Sequence, residues 1–346
     1  MAASEEISSG TRARYTREAE RIRRRFVRQV DQEPEVDCTA FRRWMAAEDA
    51  GLAPSSRRQY HAALAYYQAL HHPDCMPGPI PEGLPIRKAI QKEHGRRTSS
   101  AKSKNLPESV ERSVLNTLWN ATEKPRGSIY SIWAESIFRA GLRFGLRPSE
   151  WQGSRFIYLD DGELALEVPN GKSSQGRTFG PSRTLIVDEA RIDRIDPRAI
   201  DAAVWLTEKT RLLSKAEYED MLQRARKQMR LILKRCGKPC RASSGEVTLY
   251  TARHQFTATA KSDGLTREVI AALMGHASIY TAGEHYGRKR HGRGGNAPSA
   301  GQEGGSKKER MTVVSPHPED LYAVVMLEQE RQEQRRTQPK RGPGMG

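Results

Sequence analysis

The chain of 346 residues is long enough for two domains, and its 58 Lys and Arg against 42 Asp and Glu give a formal net charge of +16. So large a basic excess calls for a polyanionic partner. No window approaches the roughly 20 apolar residues of a membrane-spanning helix, so nucleic acid is favoured over a membrane.

The opening stretch MAASEEISSG is acidic and has no apolar core, so no secretory signal is read and a cytoplasmic location is expected. Over 11–84 the pattern is helical. Ile22, Phe26 and Val30 recur at i, i+4 and i+8 among arginines. Thr39 precedes Phe41, Trp44 and Met45, and Gly51 is placed to stop that helix. A further run carries Tyr60, Leu64, Tyr67 and Leu70 on one face and ends in Pro77, Pro79, Pro81 and Pro85. Residues 1–86 therefore read as a basic helical DNA-binding domain. Residues 87–106 read as a linker, since 87–104 hold seven Lys and Arg and one Glu, a composition that also suits a phosphate backbone.

A second domain is expected over 107–290. Val110, Val114, Leu115 and Leu118 form one helical face, and Ile129, Ile132, Trp133, Ile137, Gly141 and Leu142 form a stronger one that ends at Gly145. The proline of Leu146-Arg147-Pro148-Ser149-Glu150-Trp151 fits a first helical turn, which puts Arg147 at a helix-to-helix junction. Asp161-Gly162 and Asn170-Gly171, flanked by alternating apolar runs, are hairpin signals. They predict three antiparallel strands, with Lys172 on the second connection. Ser214-Lys-Ala-Glu217 spells a capping box for a helix with Tyr218, Met221, Leu222, Met229, Ile232 and Leu233 on one face and Arg224, Arg226, Lys227, Arg230, Lys234 and Arg235 on the other.

Cys236-Gly-Lys-Pro-Cys240 has the look of half a metal clip, but no second ligand pair stands nearby. The two are read as reduced thiols near a helix end. With Cys38 and Cys75 they make four cysteines, too few for a disulfide scaffold at this length. Residues 291–346 read as a largely disordered basic tail, with one short helix around 318–335. The fold class is mainly α with a small antiparallel β-sheet.

The stretch 248–290 gathers Tyr250, Arg253, His254, His276, His285 and Tyr286. Metal-free cleavage of a phosphodiester needs cations on the equatorial oxygens, and the guanidinium fork bonds two oxygens while staying protonated. Arg147 and Arg253 suit that task, Lys172 can protonate a departing 5′-oxygen, and His276 can donate to a non-bridging oxygen. A free tyrosine is only about one part in a thousand ionised at pH 7, and clustered cations favour the phenolate that Tyr286 needs as nucleophile. Thr281-Ala-Gly-Glu284 spells a capping box that places Tyr286 in the first turns of a short helix.

The order of these residues resembles the tyrosine recombinases, the phage-type integrases, over about 10–290. The matching pieces are GLRPSEW at 145–151, LEVPNGKSSQGR around Lys172, TARHQF at 251–256, LMGHAS at 273–278 and HYGR at 285–288. The resemblance implies a helical N-terminal domain followed by an α+β catalytic domain that acts on double-stranded DNA as a homo-tetramer on paired sites. It implies site-specific recombination through a 3′-phosphotyrosine at Tyr286, with no metal and no cofactor. Arg147 and Arg253 would clamp the phosphate, Lys172 would be the general acid, His276 would bond the phosphate, and Glu150 would support the site. Where the family's second box has His-x-x-Arg, this chain has Tyr250, and the interval from His276 to Tyr286 is one residue longer than is common. His254 and His285 are assigned to packing, and Tyr280 is the rival nucleophile. Two other readings stay open: a type IB topoisomerase, and a DNA-binding protein with a vestigial site.

Overall fold

The computed structural model describes residues 9–31, 44, 59–66, 103–104, 106–125, 127–171, 178–242, 245–293 and 310–337. The chain divides into two units, Met1–Thr98 and Ser99–Gly346. In the first, helix α1 (Ser9–Val30) buries Ala19, Ile22 and Phe26 with Leu64 of the helical stretch 59–66. Trp44 meets Phe26 edge-on at 5.4 Å, and its indole N–H donates to Gln29 Oε1 at 2.7 Å. The i, i+4 stripe of Ile22 and Phe26 is thus the seam of this unit, with Val30 packed at its edge. Trp44 apart, the predicted helix ending at Gly51 lies outside the described residues, as do the prolines of 77–85 and most of the basic stretch 87–104.

The second unit is built around α3 (Ile129–Phe144), which follows α2 (Glu108–Thr122). Ser128 caps α3 by accepting from the Tyr130 N–H, and Gly145 ends it in the left-handed region at φ 71°. A Cβ at Gly145 would lie 2.3 Å from the Phe256 ring, so both conformation and space require glycine there. The expected single apolar face understates this helix. Trp133 to Phe144 are buried all round, while Ile129 at its start is exposed. Among its buried charges, Arg139 pairs with Glu135 at 2.5 Å and with Asp196 at 2.8 Å.

After Gly145 the chain makes a turn, closed by the Glu150 N–H donating to Arg147 O at 2.8 Å, and no helix follows Arg147. The junction expected at Arg147 is therefore helix-to-turn, because the Glu150 carboxylate accepts from the Arg147 N–H at 2.7 Å and fixes the turn. Strands β1 (Arg155–Tyr158), β2 (Leu164–Pro169) and β3 (Ser182–Val187) form the predicted antiparallel meander. Phe156 stands opposite Leu166, and Leu166 opposite Leu185. Helices α4 (Glu189–Ile195), α5 (Arg198–Arg211) and α6 (Lys215–Cys236) follow. The capping box on α6 forms, with Ser214 Oγ accepting from the Glu217 N–H and the Glu217 carboxylate accepting from the Ser214 N–H. The six predicted apolar residues of α6 are buried, and its six basic residues face solvent.

Cys236 and Cys240 are joined as a disulfide rather than standing as two reduced thiols. The chain reverses at Gly237 (φ 76°) into a 3₁₀ turn over Lys238–Cys240, which leaves the two Cα atoms 6.0 Å apart, within bridging range. Helices α7 (Leu249–Ser262), α8 (Arg267–Met274) and α9 (Thr281–His285) complete the part that carries the site.

The stretch read as a basic tail is folded onto this unit over 310–337. A fourth strand, β4 (Val314–Pro316), pairs antiparallel with β3 and extends the expected three strands to four. Helix α10 (Pro318–Thr337) then packs Leu321 and Val324 against Ala271, Ala272, Ile279 and Phe179. Asp263 Oδ2 accepts from the Met311 and Thr312 N–H groups and the Thr312 hydroxyl, and Asp320 Oδ2 accepts from the Thr184 N–H. Among the described residues no helix is long and apolar enough to cross a membrane.

Val324 is fully buried in this contact. Val324→Asp should lower stability by on the order of 3 kcal/mol, read as a shift of the urea midpoint, through lost burial and a carboxylate without a partner. An unchanged midpoint would show that α10 is not packed in this way.

Candidate active site

Four pieces of chain meet around one cluster of charges: the turn after α3, the neck of the β2–β3 connection, helix α7, and the segment from the end of α8 to Tyr286. At their centre the Glu150 side chain is fully buried. Its Oε1 accepts from Arg147 Nη1, and its Oε2 accepts from Arg183 Nη2 at 2.9 Å and Arg253 Nη1 at 3.2 Å. Burial alone would raise the pKa of this carboxyl. Arg183, Arg253 and Arg147 more than reverse that and hold it well below the usual carboxylate range. Three guanidiniums share one carboxylate, so the group keeps two uncompensated positive charges.

Arg253 is completely buried on α7, and all its N–H directions are taken. Nη1 donates to Gly145 O at 2.7 Å and to Glu150, and Nη2 donates to Met274 O at 2.7 Å. Nη2 also lies 3.3 Å from His276 Nε2, and Nε donates to the Tyr286 hydroxyl at 3.2 Å. Arg147 is more open, with about a tenth of its side chain accessible.

His276 is buried one residue past Gly275, the left-handed end of α8. Burial, with Arg253, Arg147 and Arg183 nearby, holds its pKa well below the ordinary histidine value, so the imidazole is neutral at neutral pH. A Cβ on Gly275 would lie 2.3 Å from Asn170 Oδ1 and 2.9 Å from Arg183 Nη1, at a φ of 63°. The Met-Gly-His spelling is thus a steric requirement of the arginine cluster behind it.

Tyr286 is buried, and its hydroxyl lies 2.9 Å from that of Tyr250. Its ring packs 5.1 Å from His254 and 5.3 Å from His276. Burial works to raise the phenol's pKa, but Arg253, Arg147 and the hydrogen bonds from Tyr250 and Arg253 outweigh it, and the value is lowered. Tyr250 moves the other way. Burial chiefly, with Tyr286 beside it, pushes it up to about 12 against the pull of Arg253.

Tyr286 does not ride the first turns of a helix, as the capping-box spelling suggested. Tyr280 is the N-cap of α9, Thr281 is already helical, and Tyr286 follows the helix in extended backbone. That extension turns its side chain back toward α7. Lys261 Nζ holds the segment by donating to Ala282 O and Gly287 O, both at 2.7 Å.

Of the residues predicted for the site, Arg147, Glu150, Tyr250, Arg253, His276 and Tyr286 come together, and His254 packs against both tyrosines. Tyr280 is partly exposed, with Arg267 over its ring. Lys172 and the His285 side chain lie outside the described residues. Sequence reasoning missed Arg183 and Asn170. The available signal was strand alternation, which puts Arg183 on the buried face with Leu185 and Val187. Among the described residues no three His, Cys, Asp or Glu side chains gather as a metal site.

No family model matches the chain, and no curated protein matches it. Among solved structures it is similar to a lambda integrase tetramer bound to a Holliday junction, at 15% identity and a TM-score of 0.48, over 86% of this chain and 76% of that one. It is also similar to XerA recombinase, at 16% identity and a TM-score of 0.34, over 80% and 86%.

Glu150 is ionised in the folded state well below its unfolded range, so its contribution is present above about pH 4.5 and is lost as pH falls further. Glu150→Gln should cost about 3–5 kcal/mol at pH 7, since it leaves buried guanidiniums without a counter-charge. Denaturant melts of both proteins at pH 3 and pH 7 test this, and the gap between them should narrow in acid.

Proposed function

We propose that the chain is a site-specific DNA recombinase that breaks and rejoins strands through a 3′-phosphotyrosine on Tyr286. The observation that carries the reading is the convergence of Arg253 Nε and the Tyr250 hydroxyl on the Tyr286 oxygen, inside a pocket with two excess positive charges. A phosphodiester brings one negative charge, and in-line attack by an ionised oxygen brings a second. Fixed guanidiniums in a buried pocket match that change without reorganising.

In this mechanism Arg147 and Arg253 bind the non-bridging oxygens. The phosphate displaces the contacts that Arg253 now makes with His276 and Tyr286. His276 then presents an N–H to a phosphate oxygen, and its depressed pKa keeps it from adding a third positive charge. Tyr286 gives up its phenolic proton to solvent water, its oxygen bonds to phosphorus, and the bond to the 5′-oxygen breaks. Lys172 supplies the proton that the 5′-oxygen takes up. Rejoining runs the same steps backwards, and the phosphotyrosine keeps the bond energy, so no nucleotide is consumed.

Tyr250 stands where the resembling family has histidine. With its pKa pushed up to about 12 it stays a donor at neutral pH and stabilises the Tyr286 phenolate. The solvent-facing basic residues of α6, with the net charge of +16, support double-stranded DNA as the partner. Pairing of two DNA sites by a homo-tetramer is part of the same proposal.

The test uses nicked suicide duplexes drawn from the DNA flanking the gene, with SDS-resistant adducts as the readout. Tyr286→Phe should reduce adducts to background, and mass spectrometry of the wild-type adduct should find the phosphate on Tyr286. Binding without adducts supports a DNA-binding module, and relaxation of a plasmid lacking a second site supports a topoisomerase. Tyr250→Phe should move the alkaline midpoint of adduct formation upward by about one pH unit, the worth of a hydrogen bond to a charged group. Loss of a donor to the phenolate raises the phenol's pKa, so a downward shift would exclude this role.

A further inference from the structure

Arg183 is almost wholly buried, and the proposed chemistry gives it no task. Its three donating positions reach three different parts of the site. Nε donates to Leu273 O at 2.9 Å, at the end of the helix that leads to His276. Nη2 donates to Glu150 Oε2 at 2.9 Å, and Nη1 donates to Asn170 Oδ1 at 2.7 Å.

Asn170 in turn closes the neck of the β2–β3 connection. Its Nδ2 donates to Gly180 O and Ser182 O, both at 3.0 Å, and its backbone N–H donates to Pro181 O at 2.7 Å. Gly171 runs over the same carboxylate, where an added Cβ would stand 3.5 Å from Glu150 Cγ. Lys172 follows directly in sequence. Only a planar fork can address a backbone carbonyl, an amide and a carboxylate at once, because a lysine ammonium on a flexible stem fixes no such plane.

We propose that Arg183 is a positioning residue that fixes the neck of the β2–β3 connection, and with it the reach of Lys172, to the carboxylate that orients Arg147 and Arg253. The inference rests on the strand-cleavage reading and adds to it. It makes the general acid and the phosphate clamp a single jointed unit, registered through one buried guanidinium. Gly275 belongs to the same joint, because any side chain there would strike Asn170 and Arg183.

The full-length chain is tested on two suicide duplexes of identical sequence, one with the natural 5′-bridging oxygen and one with sulfur in its place. A thiolate leaves without a proton, so the sulfur duplex does not need the general acid. Asn170→Ala cuts the link to the neck while keeping Glu150 and all three arginines. It should slow adduct formation on oxygen DNA by about 10–100-fold, within what a general acid contributes, and react within about threefold of wild type on sulfur DNA. Arg183→Lys should show the same preference for sulfur. No loss on oxygen DNA, or equal loss on both, overturns the proposal.

If wild type forms no Tyr286 adduct on either duplex, the strand-cleavage reading fails, and hydrogen exchange decides the joint independently. Peptides spanning 169–182 should exchange faster in both variants, with those of α3 unchanged. Unaltered exchange at 169–182 overturns the proposal in that case.

Discussion

The Glu150 carboxylate among its arginines is the interaction on which the rest of the second unit depends. An ionised carboxyl taken wholly out of water costs several kcal/mol unless donors surround it. Here they come from the turn that follows α3, from β3 and from α7. No one of those elements satisfies the group alone, so the folded state must bring all three to the same point. The arrangement also leaves positive charge in excess in a poorly solvated place. The pocket is therefore electrostatically unfinished until an anion enters, and anion binding and stability are linked through it.

That excess charge explains why two tyrosines can sit with their hydroxyls in contact. Each hydrogen bond given to the Tyr286 oxygen makes the phenolate easier to form and also somewhat less nucleophilic. Arg253 resolves the conflict in part, since an arriving phosphate competes for the same Nε hydrogen. Tyr250 has no such exchange forced on it. A histidine in its place would change protonation near neutral pH, whereas a phenol pushed up to about 12 stays a donor through that range.

Much of this was legible in the chain. The stripe of α1, the capping box of α6 and the Asp-Gly hairpin are local signals that tertiary packing did not override. Arg147, Arg253, His276 and Tyr286 could be singled out because charged and polar groups stood where a core-building sequence would place apolar ones. Arg183 escaped because the same logic worked against it. The run 184–187 reads as an apolar strand, and one arginine before it looks like a solvent-facing edge. Its phase, shared with Leu185 and Val187, was the one signal that it is buried. The fourth strand is three residues long and pairs across more than a hundred positions, so no local window could find it. The position of Tyr286 was misjudged because the Thr281-to-Glu284 spacing fits a capping box, while the cap falls one residue earlier, at Tyr280.

What places Tyr286 against Arg253 is a single helix. Tyr250 and Arg253 lie in the first turns of α7, and the residues that hold the nucleophile's segment lie further along the same helix. Lys261 binds the carbonyls of Ala282 and Gly287, Gln255 Nε2 donates to His291 O at 2.8 Å, and Thr259 Oγ1 accepts from the Arg293 N–H at 3.1 Å. Arg293 then returns to the start of the unit through Leu106 O and Glu111 Oε2. A displacement of α7 as a body therefore moves Arg253 and Tyr286 together, while Arg147 is held separately on the turn after α3. Positional errors of about 1 Å between reacting groups are costly in rate, and the fold limits them by giving both groups one rigid support. Lys172, the general acid of the proposed reaction, is outside that helix in sequence, and Arg183 is the residue proposed to register the neck before it to Glu150.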